Sequence, residues 1–114
     1  IPGLIEGASK GRGLGIAFLR HIEKTKVLVH CIDSTDENVI KAYETVRHEF
    51  AEYKISLLDK PEIILLTKTD LADEKTIKKN IKILDKKGKK VLTASIYNPE
   101  SLDLLKKELE NIFQ

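Results

Sequence analysis

The 114-residue sequence predicts an α/β layered fold, with parallel strands joined by right-handed helical crossovers. Two observations predict it. Short apolar runs of strand length ("KVLVHCID", "EIILLT" and "KKVLTA") alternate with longer segments whose apolar residues recur at helical spacing. Each run then ends in a short loop with small polar residues: Asp33-Ser34 after the first, "TKTD" after the second and "ASIYN" after the third. In parallel sheets ligands bind beyond the carboxyl ends of the strands, so these three loops are expected along one edge.

The elements follow in order. "LGIAFLRHIEK" puts Leu14, Ala17, Phe18 and Ile22 on one face of a first helix. "KVLVHCID" is β-branched, lacks clean alternation and predicts a strand covered on both faces. Ser34, Thr35 and Asp36 offer N-caps for a long helix, with Ile40, Tyr43, Val46 and Phe50 inward and Arg47 at the margin. "SLLDKP" breaks that helix, and "EIILLT" is a second buried strand. The third unit has a helix over Glu74 to Lys86, with Ile77, Ile81 and Leu84 inward and Gly88 placed to end it. "KKVLTA" is its strand. Asn98 as N-cap and Pro99 at the first helical position start a last helix, striped by Leu102, Leu105, Leu109 and Ile112.

Composition narrows the function classes. Apolar content of 41% and charged content of 33% fit a soluble globular chain of one domain or part of one. A formal net charge of +2 does not by itself indicate nucleic acid, but "KTIKKNIKILDKKGKKV" is lysine-rich on its polar side: a solvated helix face, or a contact for RNA or another anionic surface. Cys31 is the only cysteine, which excludes an intrachain disulfide and fits a reducing, cytoplasmic compartment; within "VLVHCI" it reads as a buried structural thiol. No apolar stretch approaches bilayer length, and the first residues lack the pattern of a secretory leader. His21, His30 and His48 lack metal-ligand spacing.

Five of the first fifteen residues, "IPGLIEGASKGRGLG", are glycine. Neither a Walker A loop nor a dinucleotide fingerprint fits: Gly7 and Gly3 are followed at the Walker distance by Arg12 and Ala8, and the third glycine of Gly11-Arg12-Gly13-Leu14-Gly15 comes one residue early. A Gly-rich loop running into a helix remains. "LLTKTDL" is the more informative stretch. A carboxylate held after a buried strand can accept two parallel hydrogen bonds, which guanine offers through N1–H and its N2 amino group and adenine does not. Asp70 is the candidate reader, and the stem of Lys68 can cover the base while its ammonium stays wet. Asp70 also fits a plain turn or capping residue, and Asp33 either a nucleotide contact or a cap.

The run "IPGLIEGASKGRGLGIAFLRHIEKTKVLVHCID" resembles the Obg family of GTPases, whose switch II is followed by a Gly-rich stretch and a Leu-Arg-His-Ile-Glu helix, and the similarity extends along the whole chain. The resemblance implies a three-layer, Ras-like P-loop NTPase G domain in part: its last three strands and their helices over residues 1–114, with switch II in 1–15 and guanine-recognition loops at 67–70 and 94–96. It makes Gly3 the γ-phosphate sensor. Lys68 and Asp70 match the guanine motif Asn-Lys-x-Asp, with Thr67 in place of asparagine. Ser95 matches the serine of the last guanine motif, and Ile96 replaces its alanine. Leu4 stands where Ras-like enzymes carry a water-orienting glutamine, so intrinsic hydrolysis is expected to be slow.

The resemblance places the P-loop, switch I and the Mg²⁺ ligands upstream of Ile1, and no catalytic or metal ligand in this chain. The intact protein is then expected to bind GTP/GDP with Mg²⁺, to hydrolyse GTP and to act on the ribosome or ribosomal RNA, while these 114 residues alone are inactive. "VLVHCI" is expected to be a strand edge open to self-association. The alternative reading is a non-enzymatic α/β protein- or RNA-interaction module, without preference for guanine.

Overall fold

A computed structural model describes residues 15–112. The expectations placed on Gly3, Leu4 and Leu14 therefore lie outside the described residues. The described chain runs α1 (Gly15–Glu23), β1 (Leu28–Asp33), α2 (Val39–Tyr53), a 3-10 segment (Ile55–Asp59), β2 (Glu62–Thr67), a 3-10 turn (Thr69–Leu71), α3 (Glu74–Asp85), β3 (Lys90–Thr93) and α4 (Pro99–Ile112). The three strands form one parallel sheet in the order β1-β2-β3, with Cys31 beside Leu65 and Leu65 beside Leu92. This is the α/β alternation expected from the sequence.

Two apolar clusters hold it together. Ile32, Ile64 and Leu66 of the sheet pack against Val39 and Tyr43 of α2 and Leu84 of α3. Leu19 and Ile22 of α1 meet Val46, Phe50 and Leu57. β2 is the central strand and is buried from Glu62 to Leu66, as its apolar run implies. Each of its buried leucine and isoleucine side chains contributes about 1.5–3 kcal/mol. Gly88 adopts φ +76° three residues after α3, a left-handed turn that glycine takes without a Cβ clash.

Several expectations are corrected. β1 is covered on one face only: His30 and Ile32 are buried, whereas Cys31 between them is exposed. Cys31 shares the face of Leu65, and α4 reaches that face from the β3 side. The cap of α2 is Asn38, whose Oδ1 accepts the Lys41 N–H at 3.0 Å; Asp33 and Asp36 close tight turns before it. Val39, not singled out, is the fully buried first residue of α2, while Ile40 packs partly buried against the same cluster as expected. In α1 the innermost residue is Leu19, and Ala17 is exposed. The stripe of α4 forms as expected, with Leu102, Leu105 and Leu109 lining one groove, and no described residue of α4 is fully buried.

A buried polar group lies under α2. The Glu62 carboxylate, fully buried, stands 3.7 Å from Arg47 Nη1 and 3.8 Å from His30 Nδ1. His30 stacks on Tyr43 with ring centroids 5.8 Å apart, and the Arg47 guanidinium lies 5.8 Å from the same ring. Arg47 also donates to the Leu58 carbonyl at 3.1 Å. Burial pushes Glu62 above the usual carboxylate range and His30 down to about 4.

Candidate guanine-recognition site

The loops after β1, β2 and β3 converge at one end of the sheet. After Thr67, the chain turns sharply because Lys68 is left-handed, at φ 56° and ψ 39°, the one non-glycine residue with positive φ among the described residues. For a residue with a Cβ that conformation costs on the order of 1 kcal/mol and persists only where neighbours hold it. Here they do. The Lys68 carbonyl accepts from the Leu71 N–H at 3.0 Å and from Ser34 Oγ at 3.0 Å. The turn brings Asp70 toward the loop after β3.

There the two loops are joined. Ser95 Oγ donates to Asp70 Oδ1 at 2.6 Å, the short distance expected of a hydroxyl on a carboxylate. Ser95 is 2% exposed. Its N–H donates to Ser101 Oγ at 3.1 Å, and its carbonyl accepts the Asn98 N–H at 3.1 Å. Asn98 caps α4 as expected, its Oδ1 accepting from Glu100 N–H at 3.1 Å and Ser101 N–H at 3.3 Å. Backbone bonds from Thr69 N–H to the Ala94 carbonyl (3.4 Å) and from Ala94 N–H to the Leu66 carbonyl (2.9 Å) tie the loops further.

A cavity of about 490 Å³ opens beside this junction, lined among others by Thr67, Lys68, Asp70, Ala94 and Ile96. Four of the five sequence-proposed recognition residues thus border one space, and the fifth, Ser95, braces Asp70 from behind. Ile96 is 76% exposed. Thr67 Oγ1 points back across the sheet to the Ile32 carbonyl, at a long 3.5 Å.

Sequence reasoning missed three supports. Asp33 pairs with Lys68 through Oδ2 at 3.0 Å and accepts from the Thr35 N–H and hydroxyl; these Thr35 bonds, then Lys68, hold its carboxyl down to about 2. Ser34 and Asn80 are the others. Asn80 sits among Ile77, Ile81 and Leu84 on the inner side of α3, and a polar residue on an apolar face was the available signal. Among the described residues no cluster of three His, Cys, Asp or Glu is arranged to hold a metal ion, and no helix is long and apolar enough to cross a membrane.

The cavity wall is largely apolar, through Leu65, Leu71, Ile96, Leu102 and Leu105, with Asp70 as its one carboxylate. With one oxygen bonded by Ser95, that carboxylate keeps lone pairs that could accept from a ligand carrying two adjacent N–H groups. A family model described as "50S ribosome-binding GTPase" matches residues 1–68. The protein named GTPase Obg from Pelagibacter ubique (strain HTCC1062) is 47% identical over 110 residues, covering 96% of this chain and 34% of that protein. The chain spans about a third of the length of that relative.

Proposed function

Since the chain belongs to the 50S ribosome-binding GTPase family, on its Obg side, we propose that it is the guanine-recognising part of a G domain that binds and slowly hydrolyses GTP. Residues 67–70 and 94–96 form its recognition loops and residues 1–15 its switch II. The observation that carries this reading is the 2.6 Å bond from Ser95 to Asp70, which fixes a carboxylate at the ends of two neighbouring parallel strands.

Asp70 accepts guanine N1–H and the N2 amino group. Adenine offers an acceptor at N1, so it leaves the carboxylate unpaired and faces it with like polarity. The Lys68 stem covers the base, anchored by Asp33. Ile96, through its backbone N–H, meets guanine O6. Gly3 senses the γ-phosphate, and the Mg²⁺ and phosphate ligands come from the P-loop and switch I upstream. Turnover belongs to that complete domain and not to residues 1–114. Leu4 brings no polar atom to the attacking water, in keeping with a slow reaction.

The ribosome, or its RNA, is the partner we propose, in the cytoplasm. Lys75, Lys79 and Lys82 of α3, with Lys86 at its C-cap, follow one line opposite its buried side, and none makes an ion pair among the described residues. Such a stripe suits a phosphate backbone. Among the described strands β1 is an edge of the sheet, and self-association is expected there if that edge is left uncovered. The test of the proposal is phosphate release by the full-length protein. GTP is expected to be turned over and ATP, at the same concentration, to give no more than background; equal turnover of both overturns the reading.

A further inference from the structure

We infer that Ser34, itself held by Asn80, is a positioning residue for guanine recognition. The inference rests on the guanine reading of Asp70 and adds to it the device that keeps that carboxylate aimed. Ser34 is 0% exposed and sits just past β1, outside both recognition loops. Its N–H donates to the Thr67 carbonyl at 3.0 Å, continuing the ladder between β1 and β2 by one rung. Its hydroxyl donates to the Lys68 carbonyl at 3.0 Å. Its own carbonyl accepts from Asn80 Nδ2 at 3.3 Å, and Asn80 is 7% exposed on the inner side of α3.

The result is a chain of buried polar contacts from α3, through the end of β1, to the one peptide whose left-handed turn directs Asp70. That turn is intrinsically unfavourable for lysine, so its occupancy depends on what holds the Lys68 carbonyl. One of the two holders, the Leu71 N–H, belongs to the same turn and moves with it. Ser34 is the holder anchored in the sheet. Without its hydroxyl the turn is held across the loops only by the long Thr69–Ala94 backbone bond and by Ser95 on Asp70, and the carboxylate loses part of the alignment that two parallel hydrogen bonds require more than one does.

This yields a readout that general destabilisation does not move. Inosine keeps N1–H and lacks the N2 amino group, so the GDP-to-IDP affinity ratio measures the second hydrogen bond. In the full-length protein, with a fluorescent GDP analogue as the displaced probe, Ser34→Ala is expected to weaken GDP about tenfold and IDP about threefold, compressing the ratio about threefold. Ser34→Cys keeps nearly the same shape with a weak donor and is expected to act in the same direction; it serves if the alanine variant does not fold. An unchanged ratio in the folded variant, whether both affinities hold or both fall equally, overturns the inference. Asp70→Ala is measured in parallel. If it collapses the ratio and the Ser34 variants do not, the positioning role alone fails. If it too leaves the ratio intact, the guanine reading fails and takes this inference with it.

Discussion

Asp70→Asn in the full-length protein is expected to lose GDP affinity by roughly a hundredfold or more while gaining affinity for xanthosine diphosphate. A carboxylate accepting two hydrogen bonds from neutral donors supplies about 1.5–3 kcal/mol per bond. The amide keeps one acceptor and replaces the other with a donor. Xanthine carries a carbonyl where guanine carries the N2 amino group, so its edge matches the amide and clashes with the carboxylate. The swap follows from polarity alone and is read by competition binding with the two nucleotides. Ser95→Ala, by freeing Asp70 Oδ1 from its 2.6 Å partner, is expected to weaken GDP without creating any preference for xanthine. Loss of affinity in Asp70→Asn with no gain for xanthine would mean that Asp70 holds the loop and does not touch the base.

The second large effect is on stability, beneath α2. Arg47→Ala is expected to cost about 3 kcal/mol at neutral pH, because it leaves the fully buried Glu62 carboxylate without its cationic neighbour at 3.7 Å. Arg47→Leu with Glu62→Leu, which removes both charges, is expected to recover most of that loss. Denaturant unfolding measures both; an Arg47→Ala cost below about 0.5 kcal/mol would show that the pair contributes nothing net. The same cluster sets a pH dependence. His30 is held down to about 4 chiefly by burial, against 6.5 in an open chain. As pH falls from 6.5 toward 4 the unfolded chain takes up a proton that the folded one resists, so stability declines by up to roughly 3 kcal/mol. Glu62, raised by burial, works in the opposite sense, since its protonation is easier in the folded chain. His30→Gln isolates the histidine contribution and is expected to flatten the decline between pH 6.5 and 4.

Where a local signal decides the structure, the sequence was legible. The apolar run of β2 needs only to be central to be buried, Gly88 supplies the left-handed turn after α3, and Asn98-Pro99 starts α4 by hydrogen-bond chemistry confined to four residues. The convergence of the 67–70 and 94–96 loops followed from parallel strands, which put both carboxyl ends on one side. What was not legible depends on distant neighbours. Cys31 is apolar enough to be buried, yet it is exposed between the buried His30 and Ile32, on the other face of β1. Three polar residues before α2 compete for its cap, and Asp33 and Asp36 are occupied with the turns that deliver Asn38. The hold of Ser34 on Lys68 spans 34 residues, and that of Asn80 on Ser34 spans 46. No spacing rule connects such pairs. A buried serine and an inward asparagine announce only that partners exist.

On the reading proposed for Asp70, a carboxylate at the end of β2 selects one purine. Calorimetric titration of the full-length protein with GDP, IDP and ADP tests it most directly. GDP is expected to bind tightly, IDP about tenfold more weakly for want of the N2 contact, and ADP weaker still by a further tenfold or more. ADP binding as tightly as GDP would contradict it.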